Sequence, residues 1–327
     1  GSGYTAFIAA PKGSILNGRA SGSNVLSGNT YLFAKQNIGA TDNVLVTEVG
    51  TLQGESTLGS TWITNMGALS VDAVDGSSPT GMHAGGSIYV STHSPVTIDK
   101  DIVSDSNEIV VVAVDDANDG TDPATDDVPD DLTVKDGVTI RAKNSYVKLL
   151  AGDDLTIESG ASVVAHDYAS IQGDFRGDQF GNIAAGTPNQ DPGRGSTITI
   201  LGSVQSDVRI DISGEVDDDT IIIAGSFAAP QIKVYGGDGM DTLIVDKLPS
   251  PVQEHNGVHD TKTVDLDGQS GADSYIVNTN GSSDYIINVY DTAAPDDAAN
   301  YLTINGTSSD DTFLVRQNFV ALLHGSP

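Results

Sequence analysis

Apolar anchors fall at Ile210, Ile221, Ile232 and Leu243, a step of 11 residues taken three times without slippage. A sandwich or barrel has no need to hold strand spacing constant to the residue. A solenoid must, because each coil sets its apolar residues over those of the coil before it. The step resumes after breaks: Val264, Tyr275 and Ile286 are again 11 apart, as are Leu302 and Phe313. The stretches Pro249 to His259 and Ala293 to Asp297 absorb the interruptions. Two 11-residue steps would make one coil of 22.

Local chemistry points the same way. Blocks such as TYLF, NVLV, EIVVVAV, STITIL and TLIV are rich in Val, Ile and Thr, and Gly, Asn, Asp or Ser closes nearly every one. No longer segment keeps a helical apolar period without such a breaker, so helices should be scarce. The expected fold is all-β, a right-handed parallel β-helix or β-roll solenoid. Residues 132–327 read as its coils, with DGVTI, DDLTI, ASVVA and ASIQG carrying the strand-and-turn rhythm between Asp136 and Gly173. Residues 1–131 read as an N-terminal β region of the same stack, ending in an acidic loop at 115–131 that carries eight Asp and no base. Residues 174 to 195 hold too many Gly, Pro and polar residues for a coil and read as a loop leaving the stack.

Charge narrows the partners. The chain carries 45 acidic against 15 basic side chains, a formal charge of −30, which repels phosphate backbones and anionic headgroups. Nucleic acid is excluded on that ground. Membrane insertion is excluded because the longest apolar run, Ile109 to Val114, is far short of the roughly 20 residues a spanning helix needs. There is no cysteine, hence no disulfide or thiolate metal site. Cations are the natural partners. No charged-then-apolar leader opens the sequence and Gly1-Ser2 looks like a cloning remnant, so a piece of a larger protein is expected.

A second regularity lies in the same register. Gly202, Gly214, Gly236, Gly268 and Gly306 are each followed five positions later by Asp207, Asp219, Asp241, Asp273 and Asp311. The run Gly236-Gly237-Asp238-Gly239-Met240-Asp241-Thr242-Leu243-Ile244 fits GGxGxDxUx at every specified position. Gly268 to Ile276 reads GQSGADSYI and loses one glycine, while GEVDDDTII at Gly214 and GTSSDDTFL at Gly306 lose the inner glycines. Through these residues, about a third of the chain, the sequence resembles the RTX family of calcium-binding secreted bacterial proteins, whose nonapeptides coil into a parallel β-roll. The resemblance implies Ca²⁺ held between a glycine turn and the equivalent turn of the next coil. Asp241 and Asp273 are then the first side-chain ligands, followed by Asp238, Asp219, Asp217 and Asp311, with Gly236 and Gly268 opening the turns. The chain steps by 11 rather than nine, so a wider β-helix carrying a few calcium turns is expected.

Electrostatics supports an ion independently. Asp219 and Asp241 would lie in adjacent coils about 4.8 Å apart, where two carboxylates repel by about 3 kcal/mol at an effective dielectric near 20. A hard divalent cation with oxygen ligands turns that repulsion into a cross-link, and calcium tolerates irregular Asp-and-carbonyl cages. The alternative is that these Asp sit in solvated turns, where Asp is common anyway. Asp115, Asp119 and Gly120 give a partial calcium-loop pattern without its third ligand, and a solvated acidic excursion suits them better.

Catalytic constellations are thin. His255 and His259 are four apart, but Pro249, Pro251 and Gly257 make that stretch a loop rather than a zinc-binding helix. Asp174, Arg176, Asp178 and Arg194 could line a sugar groove or simply be solvated, and Trp62 suits a core or end cap. The expectation is a non-enzymatic, calcium-stabilised structural or adhesive segment of a large secreted or cell-surface bacterial protein, serving adhesion or a biofilm matrix. Cell-surface glycans or matrix polysaccharide are the partners to consider besides calcium. A polysaccharide-active β-helix enzyme, a lyase or epimerase, is the alternative.

Overall fold

In a strand, successive side chains point to opposite faces, so Thr197-Ile198-Thr199-Ile200 can bury only its isoleucines. In the computed structural model it does so: Ile198 and Ile200 are fully buried and the threonines half-buried. The same alternation recurs in most strands. The structure describes residues 3–74, 81–93, 95–115, 129–182, 194–249, 254–255, 258–259, 263–281, 285–292, 299–316 and 319–323. Among the described residues there are strands and no helices, and 27 strands join one sheet in which every pairing is parallel.

Pairing follows sequence order. Ile210 pairs with Ile232 and Ile221 with Leu243, each 22 residues on, as the 11-residue step requires. Each circuit of chain thus lays its strands beside those of the circuit before, an order consistent with a parallel β-helix. Strands on either side of the acidic segment share this sheet: Ile109 pairs with Val147, Val96 with Leu132 and Ile102 with Ile140. Residues 116–128 of that segment lie outside the described residues.

Three details differ from the sequence reading. Up to Ala228 most circuits deliver three strands rather than two, because a short third strand such as Ser203–Ser206 or Ser226–Ala228 fits between the 11-residue anchors. From Ile232 onward the sheet receives two strands per circuit. Ile286 is one residue out of step: Val264 pairs with Ile287, while Ile286 pairs with Thr263 and is 57% exposed. Tyr275 still pairs with Leu243, so one extra residue between Tyr275 and Ile287 shifts the phase, which in a strand moves a side chain to the other face. Phe313 leaves the parallel sheet altogether, on the antiparallel hairpin of Thr312–Arg316 with Phe319–Leu323.

Inside the circuits, identical positions stack as ladders. One runs Ile63, Val90, Val111, Leu149, Ile171, Ile212, Val234, Leu266, with every rung at most 1% exposed. Burying each aliphatic side chain contributes about 1.5–3 kcal/mol. The strand Ile109–Ala113 is buried on both faces, since Val110 and Val112 point outward. That outward apolar pair needs a cover, and Phe175 supplies it together with Leu150. The chain from Asp174 to Asn182 therefore folds back on the sheet instead of departing from it. Phe180 packs edge-on to Trp62 and Tyr89, and Lys148 Nζ donates to the Gly181 carbonyl at 2.9 Å.

Candidate metal centre

Three of the five Gly-to-Asp segments stack at one corner. Glu215 pairs with Gly237 and Gly237 with Gln269, while Thr220 pairs with Thr242 and Thr242 with Ser274. Turns 214–219, 236–241 and 268–273 are therefore held in register from both sides, at the strand spacing of about 4.8 Å. Their backbones repeat one shape: φ is positive at Glu215 (85°), Gly237 (128°) and Gln269 (70°), and again at Asp217 (66°), Gly239 (154°) and Gly271 (126°).

The opening glycine has a steric reason. A Cβ on Gly236 would collide with Oδ2 of Asp241, and it would stand 2.7 Å from the carbonyl oxygen of Gly268 in the next circuit. Two oxygens from consecutive circuits thus converge on the space that glycine leaves. Gly214 and Gly268 are overhung in the same way by Oδ2 of Asp219 and Asp273.

Asp219, Asp241 and Asp273 are at most 1% exposed. One oxygen of each is used identically. Oδ1 of Asp219 accepts from Ser196 N at 2.6 Å, Oδ1 of Asp241 from Asp219 N at 2.9 Å, and Oδ1 of Asp273 from Asp241 N at 3.0 Å. Asn300 continues the series by accepting from Asp273 N at 2.6 Å. Each carboxylate thus reaches back one circuit to satisfy a buried amide. The second oxygen, Oδ2, of Asp219 and of Asp241 is buried and makes no hydrogen bond.

Burial dominates the titration of this pair. Desolvation raises the Asp219 carboxyl to about 8 against the hydrogen bonds from Ser196, and the neighbouring Asp241 and Asp217 add to the rise. Desolvation likewise raises Asp241 to about 7, with Asp273, Asp218 and Asp238 adding negative charge nearby. Both carboxyls therefore hold a proton to higher pH than an exposed aspartate does.

The remaining sequence candidates lie at the rim of these turns or apart from them. Asp217 is half-buried and Asp238 exposed, on the rim of the same turns. Asp311 is exposed, and its carboxylate accepts from the Thr307 amide at 2.6 Å within a local turn before the antiparallel hairpin. Oδ2 of Asp311 overhangs Gly306 as in the stacked turns, but among the described residues no equivalent turn is paired beside it in the sheet. Gly202 precedes the strand Ser203–Ser206, and Asp207 beyond it lies 2.9 Å from His166. Among the described residues, no group of three or more His, Cys, Asp or Glu side chains is placed to hold a metal ion. A cation here would draw on paired carboxylates and backbone carbonyls.

Sequence reasoning missed the upstream rungs. Asp153 Oδ2 accepts from Asp130 N at 2.7 Å, and Arg194 Nε lies 3.3 Å from Asp153 Oδ1. The signal was the repeat Asp130-Asp131-Leu132-Thr133-Val134 and Asp153-Asp154-Leu155-Thr156-Ile157, whose first Asp occupies the same corner. Arg194 therefore closes this corner rather than lining a sugar groove, and Asp178 caps its own loop by accepting from the Phe180 and Asn182 amides. His255 and His259 lie on opposite strands of a small antiparallel hairpin, not on a helix.

A second feature lies on the outer face of the strands Ile232–Asp238, Thr263–Ser270 and Ile286–Tyr290. Lys233, Tyr235, Asp265, Asp267, Tyr290 and Thr292 line a cavity of about 300 Å³ there. Tyr235, Asp267 and Tyr290 share one register across the three strands, and Lys233, Asp265 and Asn288 share the register two residues earlier. No family model, curated protein or solved structure matches the chain.

Proposed function

We propose that this chain is a calcium-stabilised structural and adhesive segment of a larger secreted or cell-surface bacterial protein. In this reading it is a right-handed parallel β-solenoid whose turns 214–219, 236–241 and 268–273 are RTX-like half-sites, and it is not an enzyme. One observation supports it above the others: Asp241 Oδ2 and the Gly268 carbonyl, from consecutive circuits, converge beside a glycine. The carboxylates of Asp219, Asp241 and Asp273 would hold Ca²⁺ with turn carbonyls, and Asp217 and Asp238 would stand at the rim. Calcium accepts six to eight oxygens in irregular cages, which suits carbonyl-rich turns with few side-chain ligands. Folding would then be completed outside the calcium-poor cytoplasm.

Melting followed by circular dichroism tests the reading. Millimolar calcium should raise the melting temperature by many degrees over the value in EDTA, since a ligand that binds only the folded state stabilises it by mass action. Superimposable curves would remove calcium from the account.

The outer cavity gives a specific reason to weigh a polysaccharide-active enzyme. Its carboxylates, however, are occupied in positioning neighbours. Asp267 accepts from Thr292 N at 3.1 Å and from Thr292 Oγ1 at 2.8 Å, one bond on each oxygen, and Asp265 accepts from Asn288 Nδ2 at 2.8 Å. Binding fits that arrangement better than proton transfer. Release of unsaturated ends from a polyuronate on incubation with the protein would reverse this preference.

A further inference from the structure

We infer that the outer face around Tyr235 and Tyr290 is a binding groove for an uncharged glycan chain. The inference names a partner for the adhesive role proposed above and rests on that role for its biological sense, but not on calcium at the turns.

The groove is a fixed grid rather than a flexible loop surface. Tyr235, Asp267 and Tyr290 occupy adjacent strands at one register, so the two tyrosines stand about 10 Å apart with a carboxylate between them. That span is comparable to a disaccharide. The Tyr290 carbonyl is held by the hydroxyl of buried Tyr275 at 2.7 Å, and the same hydroxyl accepts from Gly268 N at 2.8 Å. Tyr290 is 46% exposed. Rigid, half-exposed tyrosines offer an apolar face for the C–H side of a pyranose and a hydroxyl for its rim, at little entropic cost.

Between the rings the polar groups suit hydroxyls. Each sugar hydroxyl both donates and accepts, so it is matched by acceptor-only carboxylates beside a donor-only ammonium. Asp265 supplies the first through Oδ2, the oxygen that Asn288 leaves, while Asp267 holds Thr292 at the rim, and Lys233, whose ammonium sits 6.0 Å from the Tyr235 ring centre, supplies the second. Across the lining, two carboxylates face one ammonium. An anionic uronate would therefore meet net negative charge here as well as the −30 of the whole chain.

The pattern extends along the face. Tyr146 and Tyr168 stack at 4.7 Å, and the Arg209 guanidinium lies 5.0 Å from the Tyr168 ring centre, one circuit on. The Lys148 ammonium lies 5.9 Å from the Tyr146 ring centre. All three cation–ring pairs among the described residues lie on this one face, a continuous track for a chain longer than the groove itself.

Isothermal titration of the whole chain with cellohexaose, mannohexaose and xylohexaose, against oligogalacturonate, tests this in calcium and in EDTA. At least one neutral hexaose should bind. Tyr235→Ala and Tyr290→Ala should each weaken it about tenfold, the loss of one stacking platform, with melting temperatures kept near that of the parent. Binding of none of the neutral hexaoses, tighter binding of oligogalacturonate, or neutral binding untouched by both substitutions in folded protein would each overturn it. Neutral binding that persists while calcium leaves the melting curve unchanged would retain the groove and discard the calcium reading, so the two fail separately.

Discussion

The amide of Asp219 donates to Oδ1 of Asp241, one circuit further along the chain, at 2.9 Å. Asp241 therefore has two separable duties: capping a buried amide with Oδ1 and bringing negative charge to the corner with Oδ2. Asn300 performs the first duty for Asp273 without the second. Asp241→Asn should accordingly melt in EDTA at or above the parent temperature, and the rise given by calcium should shrink. Asp241→Ala should lose about 1–3 kcal/mol in either condition, because the Asp219 amide is left buried without an acceptor. Urea denaturation of both variants with and without calcium separates the two duties.

Acidity should act on this column with a definite sign. Folding raises Asp241 to about 7 and Asp219 to about 8, whereas both titrate near 3.9 when unfolded. Between these values the folded chain holds protons that the unfolded chain has released. In EDTA, stability should be greatest near pH 4 and decline as pH rises to about 8. Calcium should flatten that decline. Asp105, held low by the hydrogen bond from Lys143, acts in the opposite sense but only below its ordinary range. Denaturation midpoints at several pH values, in chelator and in calcium, would read the slope.

Gly236→Ala should destabilise the chain by about 1–3 kcal/mol, since the new methyl group meets Asp241 Oδ2 and the Gly268 carbonyl in an already packed corner. Calcium should lose its effect on melting in the same variant. A variant that melts with the parent, and responds equally to calcium, would contradict the packing described for this turn.

The one-residue phase shift gives a sharper contrast. Ile210→Ala removes a fully buried anchor and should cost about 2–5 kcal/mol. Ile286→Ala removes an exposed side chain and should change stability by less than about 0.5 kcal/mol. The 11-residue step read without the structure would give both positions the same cost. Thermal or urea denaturation of the two variants checks the assignment.

Where insertions are absent, the fold is legible in the chain itself. Ile210, Ile221, Ile232 and Leu243 fall on the sheet as their spacing implies, because stacking tolerates no slip there. The third strand escaped notice because Ser226–Ala228 is only three residues long and carries a single large apolar side chain, Phe227. The insertion after Leu248 leaves Val264 and Tyr275 in phase, but one extra residue follows Tyr275, and a count of 11 lands on Ile286 instead of Ile287. At the stacked corner, Asp219, Asp241 and Asp273 stand out through their glycines, whereas Asp130 and Asp153 lack that partner and are not picked out by the sequence. Asp311 has the glycine but no stacked neighbour in the sheet, a difference that only pairing reveals.

The amide-to-carboxylate column has a direction. In every described rung from Ser196 to Asp273 the backbone amide donates towards the C-terminus, to the side chain of the next circuit. A chain emerging N-terminus first would carry at its growing tip a buried donor that only the next arriving Asp or Asn can quench. Each new layer thereby finishes the one beneath it, so assembly in that order advances by a succession of local closures, and a halt leaves just one corner open.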